Sequence, residues 1–481
     1  MRKCFLMLLM CSSSLMAQET ATDFQAYRKS VLENFSSFRN SVLDDYVQYL
    51  QGVWNRYEEF KGVERDRSPK PIAIPKVEAL PTSSHSLPNP LAQPNNPPLF
   101  TTASPKDLKP DVSVKSFPLS TIDLPFYGMK FKVVPCKAYC LNDIEHADIA
   151  ETWRKYQADK DTKAVINSLK LLAKEYGLND WFLLELVKKY SERMKGNLNG
   201  RQLLQHYLLV NMGFDIRLAS DGSELFLLVP FKQQVYERNY VVMEGKKYYV
   251  FKDSLDLSPK KKSNIYTCML PQNLDKGYSL DLTLKGKGLG IKSDELHKYD
   301  VTDGNVRLQG IVDKGTMEAI RHYPQMDIPY YAMSSIVPEL HVSLLAQMQS
   351  QIQGLSKKNA VSRILHFVQY AFDYATDEEQ HGYEKPYFIE ENFYYPKNDC
   401  EDRAVLFAFF VHNLLGLDVH LVHYPGHECT AVNFDGLSMN GDGYSFGGKF
   451  FYICDPTYIG ASIGQCMPSF RNVRPVVEQW Y

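Results

Sequence analysis

The sequence predicts an α+β protein, and three observations carry that reading. Residues 400–415 form a run that is apolar on nearly every side and opens on polar capping residues, the pattern of a buried helix. Three short strand patterns follow it, at 418–424, 427–432 and 449–454. The same order of helix and three strands occurs earlier in the chain, with strand patterns at 215–218, 225–229 and 247–251.

With 481 residues, 44% of them hydrophobic, the chain has room for several domains and more than one core. A formal net charge of −2 argues against a nucleic-acid partner, which calls for a basic face. Residues 1–17 read as a secretory signal: Met1-Arg2-Lys3, an apolar stretch from Phe5 to Met10, and small residues up to Ala17. An exported protein, periplasmic or extracellular, is therefore expected. Lipoprotein anchoring through Cys11 is the lesser alternative, because Met10 stands where a small residue is usual. Removing the signal leaves seven cysteines, Cys136, Cys140, Cys268, Cys400, Cys429, Cys454 and Cys466, an odd number. Cys136 and Cys140 have no second Cys or His pair at zinc-site distance, so they read as a local disulfide or two inert thiols.

Residues 18–66 form a helical segment whose aromatic stripe runs from Phe24 through Leu50 and Trp54 to Phe60 at steps of three or four. The stripe is expected to pack on the chain itself, with a helical partner as the alternative. Residues 67–125 are rich in Pro, Ser and Asn and read as a linker or a surface strap. Residues 126–275 carry helix patterns at 149–176, 181–194 and 203–211, and then the first set of strands. Residues 276–339 are a β-rich connection. In it Gly286-Lys287-Gly288-Leu289-Gly290 opens no helix and reads as a turn, not a phosphate cradle. Residues 340–481 begin with helical patterning interrupted near Gly354 and end with the second set of strands. When the two sets are aligned, Asn197 falls opposite Cys400 and Glu224 opposite His427. Asp253 matches Asp455 once a one-residue shift is allowed. The earlier set therefore reads as a copy that keeps the scaffold without the nucleophile and base.

Asn398 and Asp399 precede the buried helix, which places Cys400 at its positive end, where a thiolate is favoured. His427 opens a strand after the Pro425-Gly426 turn, and Asp455 ends a neighbouring strand that Pro456 stops. A thiol, an imidazole and a carboxylate in that arrangement suit acyl transfer: the His takes the thiol proton and the Asp holds the imidazole tautomer. His420 and His423 read as surface or packing residues, and Asn440-Gly441-Asp442-Gly443 as a mobile hairpin tip. No metal site and no cofactor site is predicted.

Asn398-Asp399-Cys400-Glu401-Asp402-Arg403-Ala404, then His427, then Cys454-Asp455-Pro456-Thr457 resemble the three signature blocks of the bacterial transglutaminase-like superfamily. The resemblance covers about the last quarter of the chain. It implies a papain-like fold, a Cys400-His427-Asp455 triad and no obligatory organic cofactor. Asn398 stands where that pattern often has Gly, and Cys429 where it often has an aromatic residue. The expected activity is hydrolysis of an amide or peptide bond through a Cys400 thioester, on a protein or cell-wall peptide. Cross-linking to an amine and a non-catalytic peptide- or glycan-binding scaffold are the alternatives.

Overall fold

The structure, a computed structural model, describes residues 47–48, 50, 55–56, 64–67, 86–92, 120–252, 265–267, 277–284 and 288–478. The expected signal peptide, most of the expected N-terminal helix, Asp253 and Cys268 lie outside them. The fold is mixed α+β. Three short strands come from the N-terminal region: β1 (Asn55–Arg56), β2 (Glu64–Arg65) and β3 (Leu91–Ala92). A hairpin of β4 (Ile122–Phe126) and β5 (Met129–Val133) leads to four helices, α1 (His146–Ala158), α2 (Lys160–Glu175), α3 (Asp180–Arg193) and α4 (Leu198–Asn211). Strands β6 (Arg217–Ser220), β7 (Leu225–Val229), β8 (Asn239–Met243), β9 (Lys246–Phe251) and β10 (Tyr266–Thr267) follow.

The second half opens with the hairpin β11 (Leu296–Thr302) and β12 (Arg307–Asp313). Helices α5 (Lys314–Ile320), α6 (Ile328–Met333), α7 (Pro338–Ile352) and α8 (Lys357–Tyr370) come next. After β13 (Asp373–Tyr374), α9 (Asp377–Gln380) and β14 (Lys397–Asn398) stands α10 (Cys400–Leu415). The chain then forms β15 (Val419–Tyr424), β16 (His427–Val432), β17 (Gly443–Phe446), β18 (Lys449–Cys454) and β19 (Val476–Glu478).

Two antiparallel sheets share a core order. One runs β1-β10-β6-β7-β9-β8-β2, and the other runs β17-β18-β16-β15-β19-β3, in which only β3 is parallel to its neighbour. Read from the strand that follows the long helix, the first gives β6-β7-β9-β8 and the second β15-β16-β18-β17. In both halves the helix before the sheet packs on the sheet's first two strands, α4 on β6 and β7, α10 on β15 and β16. Asn197 is the N-cap of α4, one position short of an exact match to Cys400, which is the first residue of α10 after its cap Asp399.

One apolar core runs through both halves, from Leu124 and Trp153 to Phe410 and Val432. Helix α10 ends at Gly416, whose left-handed φ of 61° suits glycine and stops the helix. The helical pattern expected over 149–176 is two helices, because Asp159 leaves the helical conformation and caps α2 by accepting from the Asp161 N–H. The N-terminal helix also ends sooner than its stripe predicts. Residues 47, 48 and 50 are helical and Val47 and Leu50 lie in the chain's own core, but Asn55 and Arg56 pair as a strand with β10. An unpaired sheet edge offers backbone hydrogen bonds that compete with helix continuation. The described part of the Pro-rich segment straps the second sheet: Leu87 N–H donates to Gly443 at 2.8 Å and Leu91 N–H to Pro475 at 2.9 Å.

Phe410 is fully buried where α10 faces α8. Phe410→Ala is expected to cost about 3–5 kcal/mol, read as a lower urea midpoint of the full chain.

Candidate functional site

His427 and Asp455 meet because of the strand register. Thr430 pairs with Cys454, so the next step of the antiparallel ladder sets Asp455 across from Cys429. His427, two residues before Cys429, points to the same face. His427 Nε2 and Asp455 Oδ2 are 2.9 Å apart, and both residues are buried. The other Asp455 oxygen accepts from the Thr457 N–H at 3.0 Å, the Thr457 hydroxyl at 2.9 Å and the Tyr458 N–H at 3.0 Å. The carboxylate is thus fixed by donors on every side. Phe470 lies flat against the imidazole, 5.4 Å between ring centres and 6° from parallel.

With Nε2 on Asp455, the second imidazole nitrogen is the informative atom. His427 Nδ1 is buried and has no hydrogen-bond partner. Burial works against charge on the ring, but the Asp455 charge and hydrogen bond, with Glu428 and Glu401 beyond, outweigh it and raise His427 above its ordinary value. Burial likewise opposes ionisation of Asp455, and the His427 charge together with the Thr457 donors overcomes it, so Asp455 stays below the usual carboxylate range.

Cys400 reaches the site from the α10 side of β16. It is the first residue of the helix, as expected, and is 2% exposed. Its thiol donates to Glu401 Oε2 at 3.0 Å. No hydrogen bond joins it to His427. The thiolate expected from the helix dipole is not favoured here. Burial first, then the charges of Glu401 and Asp399, push the thiol well above its ordinary value. The thiol grouped with His427 and Asp455 is instead Cys429, whose sulfur lies within 4.8 Å of the partners' ligand atoms.

Other residues of the site were silent in the sequence. Gln369 on α8 donates to the carbonyls of Asp455, Tyr458 and Ala461 at 2.9–3.1 Å, tying the loop after β18 to the helix behind it. Glu428 bonds His423 Nδ1 at 3.0 Å. Arg403 gives its guanidinium to Asn398 Oδ1 and to the carbonyls of Gln369 and Phe372. A signal for these was present only as buried-looking polar residues inside apolar runs. His420 is a packing residue, stacked on Phe451 at 3.8 Å and bonded to the Tyr444 hydroxyl. Asp442 corrects the expected mobile tip: it is buried, accepts from the Cys466 N–H and Arg471 Nε, and anchors β17, while the hairpin turns at Gly447 and Gly448. Cys136, Cys140, Cys400, Cys429, Cys454 and Cys466 are all free thiols.

Three groups of described residues bring metal-ligating atoms together: His427, Cys429 and Asp455; Asp377, Glu384 and Glu401; and Asp377, Asp399 and Asp402. A cavity of about 620 Å³ opens at the far end of β16 from His427, lined by Asn433, Leu437, Met439, Phe450 and Tyr452, and does not include the dyad. No family model, curated protein or solved structure matches the chain.

The shifts fix the sign of a pH effect. His427 is raised on folding, so its contribution to stability is whole below the unfolded value of about 6.5 and is lost as pH rises through the folded value. Asp455→Asn is expected to lower the His427 midpoint, read by NMR of the imidazole, and to flatten the loss of stability above neutrality.

Proposed function

We propose that the protein is an exported cysteine-dependent acyl-transfer enzyme that hydrolyses an amide or peptide bond, with Cys400 as nucleophile, His427 as base and Asp455 as orienter. The observation that carries this reading is the His427–Asp455 pair, held at 2.9 Å with Nδ1 unpartnered. An imidazole whose tautomer is fixed through Nε2 has its other nitrogen ready to accept a proton. Cys400, in the first turn of α10, which packs on β16, the strand that His427 opens, supplies a nucleophile on a neighbouring element.

The chemistry follows in two halves. The Cys400 thiol turns from Glu401, its proton passes to His427 Nδ1, and the sulfur attacks the carbonyl carbon. Free N–H groups of the first turn of α10 face the developing oxyanion. His427 returns the proton to the leaving amine as the C–N bond breaks, leaving a thioester on Cys400. Water, deprotonated by His427, then attacks the thioester, and the acid leaves as the thiol is restored. The papain-like reading of the last quarter is supported by a buried helix bearing the Cys, packed on an antiparallel sheet bearing the His and the Asp. The reading of the first half as a copy without the chemistry is supported by the shared strand order. A protein or peptide substrate follows from the bond attacked, and transfer to a Lys amine is the variant in which an amine replaces water.

A second reading, a non-catalytic scaffold, is favoured by one observation: the Cys400 thiol is buried and bonded to a carboxylate instead of to His427. Labelling separates the two. A small thiol-directed electrophile is expected to modify Cys400 faster than the other cysteines. His427→Ala should slow that reaction and any amide hydrolysis by at least about a thousandfold without loss of fold. Cys400 reacting no faster than Cys429 or Cys454, at a rate indifferent to His427, would establish the scaffold.

A further inference from the structure

A second cavity, of about 180 Å³, lies where the two halves of the chain meet. Its walls are the turn before β8, which carries Arg238, the turn after α5 from Arg321 to Gln325, and the segment of Lys385, Pro386 and Phe388. Arg238 is the unmatched group. Among the described residues its guanidinium forms no hydrogen bond and no ion pair, and it lies over the Phe251 ring at 4.1 Å. Glu185 attracts it from beyond ion-pair distance, and burial lowers its pKa to about 10, so it stays charged at neutral pH. The neighbouring charges are engaged elsewhere. Glu237 pairs with Arg65 at 2.5 Å, Lys385 pairs with Glu391, and the Glu384 carboxylate lies within 4.8 Å of those of Asp377 and Glu401, toward α10. The backbone holds Arg238 in place against its own preference. Glu237, just before it, has a φ of 54°, uncommon in a residue other than glycine, and is fixed by its N–H to the Asp66 carbonyl at 2.8 Å. Such conformations gather at ligand sites. Gln325 supplies a further observation. Its Nε2 is the atom that meets the Glu384 carbonyl, since a carbonyl only accepts, and the Oε1 this leaves is buried with no hydrogen-bond partner.

We propose that this cavity binds the C-terminal residue of a peptide, with its α-carboxylate on Arg238 and its amide N–H on Gln325 Oε1. A guanidinium fork matches a planar carboxylate through two parallel hydrogen bonds. A neutral ligand leaves Arg238 uncompensated, and an inorganic anion leaves the Gln325 acceptor unmet. A dianion is also poorly matched, because burial and the adjacent Arg321 lower His322, which therefore adds no charge at neutral pH. Tyr323, Tyr331 and Phe388 give the cavity a buried aromatic wall for the residue's side chain. Drug-sized ligands fill about 300–1,000 Å³, so this smaller space suits the end of a chain. The site is separate from the His427–Asp455 pair, yet its wall is shared with α10: the Lys385 N–H donates to Asp377 and the Tyr387 N–H to Asp402, the latter at 2.8 Å. The proposal does not depend on acyl transfer, because a scaffold and an enzyme alike can capture a peptide by its end.

The test titrates the full chain with acetyl-Ala-Ala, with the same dipeptide as its C-terminal amide, with sodium acetate and with sodium phosphate, at constant ionic strength, while heat and thermal unfolding are followed. One acetyl-Ala-Ala per chain is expected, with a melting temperature that climbs with its concentration. The amide, which lacks the charge, and acetate, which lacks the N–H, should each bind at least about tenfold more weakly. Arg238→Lys keeps the charge but loses the fork and should weaken binding at least about tenfold. Arg238→Met should abolish binding and yet, without ligand, melt no lower than the parent, because a packed apolar chain replaces an uncompensated charge. A merely structural Arg238 would give the reverse pair of effects. Arg321→Gln, at the rim with its side chain 51% exposed, should weaken binding about threefold, so the conclusion does not rest on a buried variant folding. No heat and no melting shift up to about 10 mM acetyl-Ala-Ala would overturn the proposal. So would the amide or acetate binding as tightly as the free dipeptide, phosphate binding more tightly, or both Arg238 variants binding like the parent.

Discussion

Helix α10 has no solvent face over its first three turns: residues 400–411 are all buried. Most of the second half is arranged by that constraint. Two strands cover one side, and α6, α7 and α8 cover the others. A helix buried in this way must also satisfy its first N–H groups without water. Asp402 serves that purpose, its carboxylate returning to accept from the Asp399 N–H. Acids at a helix N-terminus complement the dipole. Buried acids repel one another, so satisfying the helix end creates the charge concentration around it.

Cys400 sits where these two effects oppose each other. A helix N-terminus stabilises a nearby negative charge by about 0.3–1 kcal/mol, and up to about 2 in partly buried sites. Removing a thiolate from water and setting it beside carboxylates costs several kcal/mol. The larger effect wins, and the thiol is held protonated on Glu401. Activation of that thiol, as proposed, would therefore come from His427, whose own proton affinity Asp455 raises. The dyad is the part of the site whose geometry is complete, and its rigidity comes from a distance: Gln369 fixes the Asp455 backbone, and Thr457 and Tyr458 fix its carboxylate.

What was legible in the sequence follows the range of the forces involved. Strands β7 and β18 stand at the residues their patterns mark, and the break between α7 and α8 falls at Gly354, because side-chain alternation and glycine conformation are local. The Cys400, His427 and Asp455 positions were legible as a helix start, a strand start and a strand end. Their relation was not. Whether Cys400 faces Glu401 or His427 depends on how α10 lies across β16, which no local pattern encodes. Strand β8 was missed because its run at 239–243 lies in a polar stretch and gains its strand character from pairing with β9 and β2. Asp442 was misread for the same reason, since its burial depends on Cys466 and Arg471 far along the chain.

The first half of the chain supplies an internal control on the acids of the second. Helix α4 packs on β6 and β7 as α10 packs on β15 and β16, yet its N-terminus is closed by a neutral amide. Asn197 Oδ1 accepts from the N–H groups of Gly200 at 3.0 Å and Leu141 at 2.9 Å, and Nδ2 donates to the Leu141 carbonyl at 2.8 Å. One side chain with both donors and acceptors seals that helix end, with no excess charge. A helix packed on a sheet of the same strand order therefore folds without carboxylates at its N-terminus. Their accumulation around α10 costs stability that an amide cap avoids, and a costly arrangement beside a buried thiol and a tuned histidine is where function, not packing, is the better explanation.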